Sequence, residues 1–323
     1  MLLPANFATL VRDRWKSAEL LAVLPAHQNQ VFAGRVGRSD VIFRVTPDSH
    51  RTAPLIQNEL DWMSHLQKQG IHAPGVVGSQ HERQFETFAF GHEIFHVVAF
   101  ERVPGIAIAA SGHLSEQVAE RWGRLHGRMN RIAMDFHPNP PFRWAGETTG
   151  ITAMSQYTEA LGKNLFPILS SAVNAIGCME KTPHNYGIVH GDLHDGNVHL
   201  AGDDLYPLDF DECCYHWRMF DVAHVLYCLY FDYVQNGKEL QALSNIGQVL
   251  LSGFEAECPM TTPALPHFLI YRLGLLAAWT HGLKPAPLWM ATAHEARRQY
   301  LRKWSLDEIE STRIVNVFCQ ARG

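Results

Sequence analysis

Residues 187–210 break into the helical second half of this chain with short apolar runs enclosing His190-Gly191-Asp192-Leu193-His194-Asp195-Gly196-Asn197. Gly187-Ile188-Val189 leads in and Val198-His199-Leu200 leads out. Leu205-Tyr206-Pro207-Leu208 then delivers a second acidic group, Asp209-Phe210-Asp211. Short β-branched runs bounded by Gly, Asp and Asn predict strand, loop and strand. The fold must therefore seat a small strand-and-loop insert inside a largely helical body.

The remainder of the chain separates into two halves of different texture. Residues 6–20 predict a short amphipathic helix. Leu20–Pro25, Gln30–Arg35 and Asp40–Thr46 predict an antiparallel meander, broken by Gly34, Gly37 and Ser39-Asp40. From Pro54 to Gln69, Leu55, Ile56, Leu60, Met63 and Leu66 fall at helical spacing, and Gly70 stops the run. Strands are expected near Phe85–Phe90 and Phe95–Arg102, and Val103-Pro104-Gly105 reads as a hinge. Helical periodicity starts again at Ser115 and runs to Met129. It returns near 217–235, 238–257, 263–283, 286–303 and 306–319. At 323 residues, two lobes are expected: an α+β arrangement with a small antiparallel-sheet lobe over 1–102 and a larger, mostly helical lobe over 103–323.

Composition narrows the partners. A net charge of −5 gives no general attraction to nucleic acid or to an anionic membrane surface. No stretch reaches the length of uncharged apolar residues that a membrane span requires. The start, Met1 to Phe7, has no basic region followed by an apolar run, so no signal peptide is expected. The 6 cysteines form no C-x-x-C pair, and two are adjacent (Cys213, Cys214), which suits reduced thiols in a cytoplasmic protein.

The insert carries the chemistry. Phosphoryl transfer from a nucleotide needs a carboxylate to orient the attacking hydroxyl and oxygen ligands to hold Mg²⁺ on the phosphates. Asp192 is the candidate base, and Asn197 follows it by the five-residue step found between base and amide ligand in kinase catalytic loops. Asn197 and Asp209 are hard oxygen donors of the kind Mg²⁺ prefers. An ordinary carboxylate is a weak base, so Asp192 would act mostly by alignment. His190 is placed to brace the loop.

These residues carry a family likeness. Val189 through Asn197, with Pro207-Leu208-Asp209-Phe210-Asp211-Glu212, resemble the phosphotransferase family that includes aminoglycoside phosphotransferases, choline kinases and homoserine-kinase-like enzymes. Within it they look closest to the bacterial branch containing the stress-response Ser/Thr kinase. The resemblance implies a bilobal protein-kinase-like fold and the cofactors ATP and Mg²⁺. It assigns the catalytic role to Asp192, the metal to Asn197 and Asp209, and a loop-bracing role to Asp221. In the first lobe, Val41-Ile42-Phe43-Arg44-Val45 resembles the phosphate-binding strand, with Arg44 where most kinases have lysine, and Glu59 is similar to its helical partner. The nucleotide loop His27–Phe32 lacks glycines, which leaves backbone N–H groups or Asn29 as phosphate cover. Phe100, Glu101 and Val103 resemble the strand and hinge that meet adenine.

The acceptor is left open between a small-molecule hydroxyl, such as that of an amino alcohol, aminoglycoside or homoserine-like compound, and a protein Ser/Thr. Asp211, Glu212, Tyr215, Trp217, Tyr230, Asp232 and Tyr233 are candidates for its walls, through charge pairing and cation–π contact. The residues bear on three alternatives. A dinuclear phosphoesterase would need more ligands than Gly191-Asp192-Leu193-His194 and Asp135-Phe136-His137 supply, and His199 is misplaced by one residue. A zinc site at His190, His194 and His199 lacks cysteine partners and a shared face. A nucleotide-binding pseudokinase has no chemical need for Asp192, and only Arg44 in place of lysine favours it.

Overall fold

The computed structural model of the protein describes residues 6–24, 26, 29–112, 114–138, 162–260, 262–282 and 308–319. Two compact units divide after Gly105, the first also taking in Pro138. No helix among the described residues is long and apolar enough to cross a membrane.

In the first unit, helix α1 (Phe7–Arg14) precedes strands β1 (Ala18–Leu24), β2 (Gln30–Val36) and β3 (Ser39–Pro47). Helix α2 (Ala53–Lys68) and strands β4 (Phe85–Phe90) and β5 (Glu93–Glu101) follow. The strands form one antiparallel sheet in the order β1-β2-β3-β5-β4. The helix expected over 6–20 stops at Arg14, because Ala18, Glu19 and Leu20 pair with Val36, Arg35 and Gly34 of β2. Ladder pairing outweighs local helical spacing there.

The pleat of β3 sorts its side chains. Val41, Phe43 and Val45 enter a core with Phe7 and Val11 of α1 and the following Trp15. Arg44, between two of them, therefore faces the other way, toward α2. Helix α2 carries Pro54 in its first turn, where a missing N–H costs nothing, and buries Ile56, Leu60, Met63 and Leu66 at helical spacing. Glu59 lies on that same buried side.

The second unit opens with β6 (Ile106–Ala107), α3 (Ile108–Ser111) and α4 (Glu116–Ile132), the last capped by Ser115 Oγ accepting from Val118 N–H at 3.3 Å. Helix α5 (Gly162–Gly177) leads to β7 (Tyr186–Val189), β8 (Val198–Ala201), β9 (Asp204–Pro207) and β10 (Cys214–Trp217). Then come α6 (Arg218–Gln235), α7 (Leu240–Glu257), α8 (Leu265–Gly282) and α9 (Glu308–Cys319). The helix expected over 286–303 lies outside the described residues. β10 has no alternating signature of its own and is a strand because it pairs with β7. β6, β8 and β9 form a second small antiparallel sheet.

Helices α4 and α7 pack backbone to backbone. A Cβ on Gly123 or Gly127 would collide with the carbonyls of Leu250 and Phe254, and one on Gly253 with that of Glu120. Side-chain-free positions on both helices allow this approach. The same helix also buries His126 and Asn130.

Candidate active site

Strand register brings two loops together. Val189 pairs with Cys214 and Val198 with Pro207, so the loop 190–197 starts beside Cys213 and ends beside Leu208. Leu208 N–H donates to the Asn197 carbonyl at 2.8 Å, which sets Asp209 next to the end of the loop. His190 ties the two loops again. Its Nε2–H donates to the Leu208 carbonyl at 3.0 Å, its Nδ1 accepts from Asp192 N–H at 3.3 Å, and its ring rests on Phe210 with centroids 4.5 Å apart. Burial pushes the His190 pKa down to about 4, against the pull of Asp221 and Asp192, so the ring is neutral, as this pair of bonds requires.

The turn needs unusual backbone. Gly191 has φ +84°, and a Cβ there would strike the Glu212 carbonyl. Asp209 also adopts the left-handed region, at φ 58° and ψ 68°, which aspartate tolerates better than most residues.

Asp192 sits among donors. Its Oδ1 accepts from His224 Nε2–H of α6 at 2.8 Å, and its Oδ2 lies 3.3 Å from Asn197 Nδ2 and 3.8 Å from His194 Nε2. Asn197 Nδ2 also donates to the Asp192 carbonyl at 2.9 Å, so the amide is turned with its oxygen away from the carboxylate. Burial raises the Asp192 pKa, but the His224 hydrogen bond and the charges of His224, His194 and Arg272 overcome this and lower it to about 2. Solvent reaches the side chain, which is 31% exposed. His224 itself is buried and shifted down to about 4, by burial first and by the Arg272 charge next. At neutral pH it therefore acts on Asp192 as a hydrogen-bond donor, not as a cation.

Asp221, at the start of α6, holds the first two residues of the loop. Its Oδ1 accepts from Gly191 N–H at 2.8 Å, and its Oδ2 from His190 N–H at 3.1 Å, His126 Nε2 at 2.7 Å and Asn130 Nδ2 at 3.3 Å. The carboxylate is fully buried. Burial alone would raise its pKa, but His126, His190 and the Gly191 N–H hold it well below the ordinary carboxylate range. Asn130 Oδ1 in turn accepts from Arg218 Nη1 at 3.3 Å, and Arg218 Nη2 donates to the Pro183 carbonyl at 3.0 Å.

Two further groups border Asp192. His194 is raised above its usual pKa: burial opposes its charge, but Asp195 and Asp192 outweigh burial. Arg272 of α8 has its guanidinium carbon 5.9 Å from the ring centres of both Phe220 and Tyr227, and adds positive field at Asp192, His194 and His224.

The two neutral histidines make stability depend on pH. The unfolded chain takes up their protons near pH 6.5, whereas the folded chain does so only near 4. Their contribution is complete above pH 6.5 and shrinks as pH falls toward 4, by on the order of 3 kcal/mol for each ring. Asp192 and Asp221, with lowered pKa, lose their contribution in a later window, below pH 3.8. Denaturant midpoints measured from pH 7.5 to 4.5 should therefore fall steadily. A flat profile would mean that the rings are not buried neutral.

In the first unit, Arg44 Nη1 and Nη2 donate to Glu59 Oε1 and Oε2 at 2.8 and 2.5 Å, with both side chains buried. The Arg44 guanidinium carbon lies 5.2 Å from the Phe100 ring centre. The planar fork matches the carboxylate at both oxygens, which a lysine in this place could not do. Glu59→Ala leaves a buried cation with its principal acceptor removed and should cost roughly 3–5 kcal/mol in chemical denaturation. A loss below about 1 kcal/mol would show the pair to be solvated after all. Asn29 is buried just before β2. At the hinge, Glu101 N–H is taken by the Gly75 carbonyl at 2.7 Å and Arg102 N–H by Asp40 at 3.2 Å. Val103 N–H has no such bond among the described residues.

The expected acceptor walls fare unevenly. Trp217, Tyr230 and Asp211 are buried. Tyr215 stacks on Tyr186 with ring centres 6.3 Å apart. Asp232 is engaged by Lys238 Nζ at 2.7 Å and Asn236 Nδ2 at 2.8 Å, and the same Lys238 lies 5.0 Å over the Tyr233 ring. Glu212 is half-buried. His126, Asn130, His224 and Arg272 escape sequence reasoning. The signal for the first three is a polar residue inside an otherwise apolar helical stripe, such as His224 among Val222, Ala223, Val225 and Leu226.

Comparison with known proteins adds an independent line. Residues 20–250 match the family described as phosphotransferase enzymes. The chain is 25% identical over 216 residues to amicoumacin kinase of Bacillus subtilis (strain 168); the match spans 65% of this chain and 63% of that relative. Two solved structures share the fold. An amicoumacin kinase in complex with AMP-PNP, Ca²⁺ and Ami superposes at TM-score 0.75 with 20% identity, covering 92% of this chain and 91% of its own. A microcompartment-associated aminopropanol kinase does so at 0.68 with 18% identity, covering 92% and 94%.

Proposed function

Because the chain belongs to the phosphotransferase enzyme family, we propose that it moves the γ-phosphoryl group of ATP to a hydroxyl of a small molecule. The observation that carries this reading is the setting of Asp192: one carboxylate oxygen fixed by His224, the other beside the Asn197 amide, in a loop pinned at both ends. A group held in that way can align an attacking hydroxyl, and a carboxylate with pKa near 2 accepts a hydrogen bond throughout the physiological range. The same setting speaks against a binding-only module.

Asn197 and Asp209 fit the divalent ion that such a reaction uses. The Asn197 amide nitrogen is spent on Asp192, which leaves its oxygen as the donor atom, and Asp209 adds a second hard oxygen. When bound, Mg²⁺ would neutralise charge on the phosphates. In the first unit, Arg44, steadied by Glu59, would meet phosphate oxygens, with Asn29 near them. Phe100 and the Val103 N–H would receive the adenine.

The acceptor class follows the relatives named above, two amicoumacin kinases and an aminopropanol kinase. We take it to be a small hydroxyl compound that carries an amine. An ATP-depletion screen with Mg²⁺ across 1-amino-2-propanol, ethanolamine, choline, homoserine, an aminoglycoside and a generic protein substrate tests the proposal. Turnover with an amino-alcohol member is the expected result. Turnover with the protein alone would move the acceptor to Ser/Thr, and consumption with none of them would remove the small-molecule reading.

A further inference from the structure

We propose that His224 is a positioning residue that decides which oxygen of Asp192 meets the acceptor hydroxyl, an inference that rests on the phosphotransfer reading above. Helix α6 carries Asp221 and His224 three residues apart, so both project from one side of its first turns. Asp221 pins the backbone of the loop through His190 and Gly191 N–H. His224 reaches past it to the carboxylate itself, 2.8 Å from Oδ1. One helix face thus fixes both the loop and the rotamer of its functional side chain.

The chemistry of the contact is directional. His224 is 1% exposed and neutral, so the hydrogen it gives to Oδ1 must sit on Nε2. Nδ1 is then bare, and it has no hydrogen-bond partner among the described residues, which fits the Nε2–H tautomer; the Cys228 sulfur, 3.6 Å from Nε2, is a longer and weaker contact than Asp192 Oδ1 at 2.8 Å. With Oδ1 turned to the buried His224 ring, Oδ2 lies on the side of the half-buried His194, 3.8 Å from its Nε2 and 3.3 Å from Asn197 Nδ2, and it keeps a lone pair for an acceptor hydroxyl. Asn197 enforces this selection only weakly, since its 3.3 Å contact with Oδ2 is longer than the 2.9 Å bond it gives the Asp192 carbonyl. Without His224 the carboxylate is free to rotate and offer either oxygen.

The test uses side chains of graded reach. His224→Phe keeps the ring volume and removes the donor. His224→Gln sets an amide nitrogen near the place of Nε2, whereas His224→Asn stops short of it. Steady-state turnover of Mg-ATP with 1-amino-2-propanol, or with the best acceptor of the screen above, should fall about 30- to 100-fold in kcat for the Phe and Asn variants, with KM for ATP within about threefold. The Gln variant should recover to within about fivefold of the parent. Equal kcat in Phe and parent, or equal loss in Gln and Phe, overturns the proposal. A parent that shows no acceptor-dependent consumption of ATP with any member of the screen defeats the phosphotransfer reading instead. The contact is then judged by imidazole ¹⁵N spectra. A neutral Nε2–H ring at His224 that shifts in Asp192→Ala supports it, and a ring unmoved by that change overturns it.

Discussion

Asp192→Asn is expected to lower the rate of phosphoryl transfer by about a thousandfold while leaving the affinity for Mg-ATP within about threefold. The asymmetry follows from the geometry. Asp192 contacts His224, Asn197 and His194, and none of these contacts needs a full charge to keep the loop closed. The asparagine keeps the shape of the side chain and loses the anionic oxygen that the acceptor hydroxyl would use. Rapid-quench measurement of product, beside equilibrium titration of nucleotide, separates the two effects. A variant that turns over within tenfold of the parent would remove Asp192 from the reaction.

Asp221→Ala produces the largest structural effect. The substitution strips four donors of their shared acceptor: two backbone N–H groups, His126 Nε2 and Asn130 Nδ2. Three of the four are buried, with no solvent to replace the carboxylate, and the Gly191 N–H is partly buried, so the expected loss is roughly 3–5 kcal/mol of folding stability. Activity should fall with it even at temperatures where the variant remains folded, since His190 and Gly191 are then no longer held. Denaturant unfolding and turnover on the same preparation test both parts. Retention of parental stability would mean that another group accepts those hydrogens.

Much of this was legible in the residues, and the limits have physical causes. β2, β3, β4 and α2 follow from alternation and helical spacing because each is patterned against its own layer. β1 begins earlier than its pattern suggests and shortens α1, since pairing with β2 is a property of two strands, not of one. β10 is legible only from its partner β7. Within the site, the spacing of Asp192, Asn197 and Asp209 can be read because one strand–loop–strand segment carries all three. His224, His126, Asn130 and Arg272 belong to three other helices. Which of them meets the loop depends on how those helices pack, and local pattern does not record that. The acidic and aromatic residues around 211–233 show the reverse problem. Charge and ring content suggested an acceptor wall, while burial of Trp217 and Tyr230 and the Lys238 bond to Asp232 commit several of them elsewhere.

The glycine-lined crossing of α4 and α7 has a consequence for biosynthesis. A ribosome releases Asp192 well before Leu250 and Phe254, the residues whose carbonyls receive Gly123 and Gly127. Until they emerge, α4 lacks the helix that covers its glycine face, and Asn130 is held from outside α4 only by Arg218 and Asp221 among the described residues. The loop that carries Asp192 is therefore synthesised before the helix pair behind its Asp221 anchor can close.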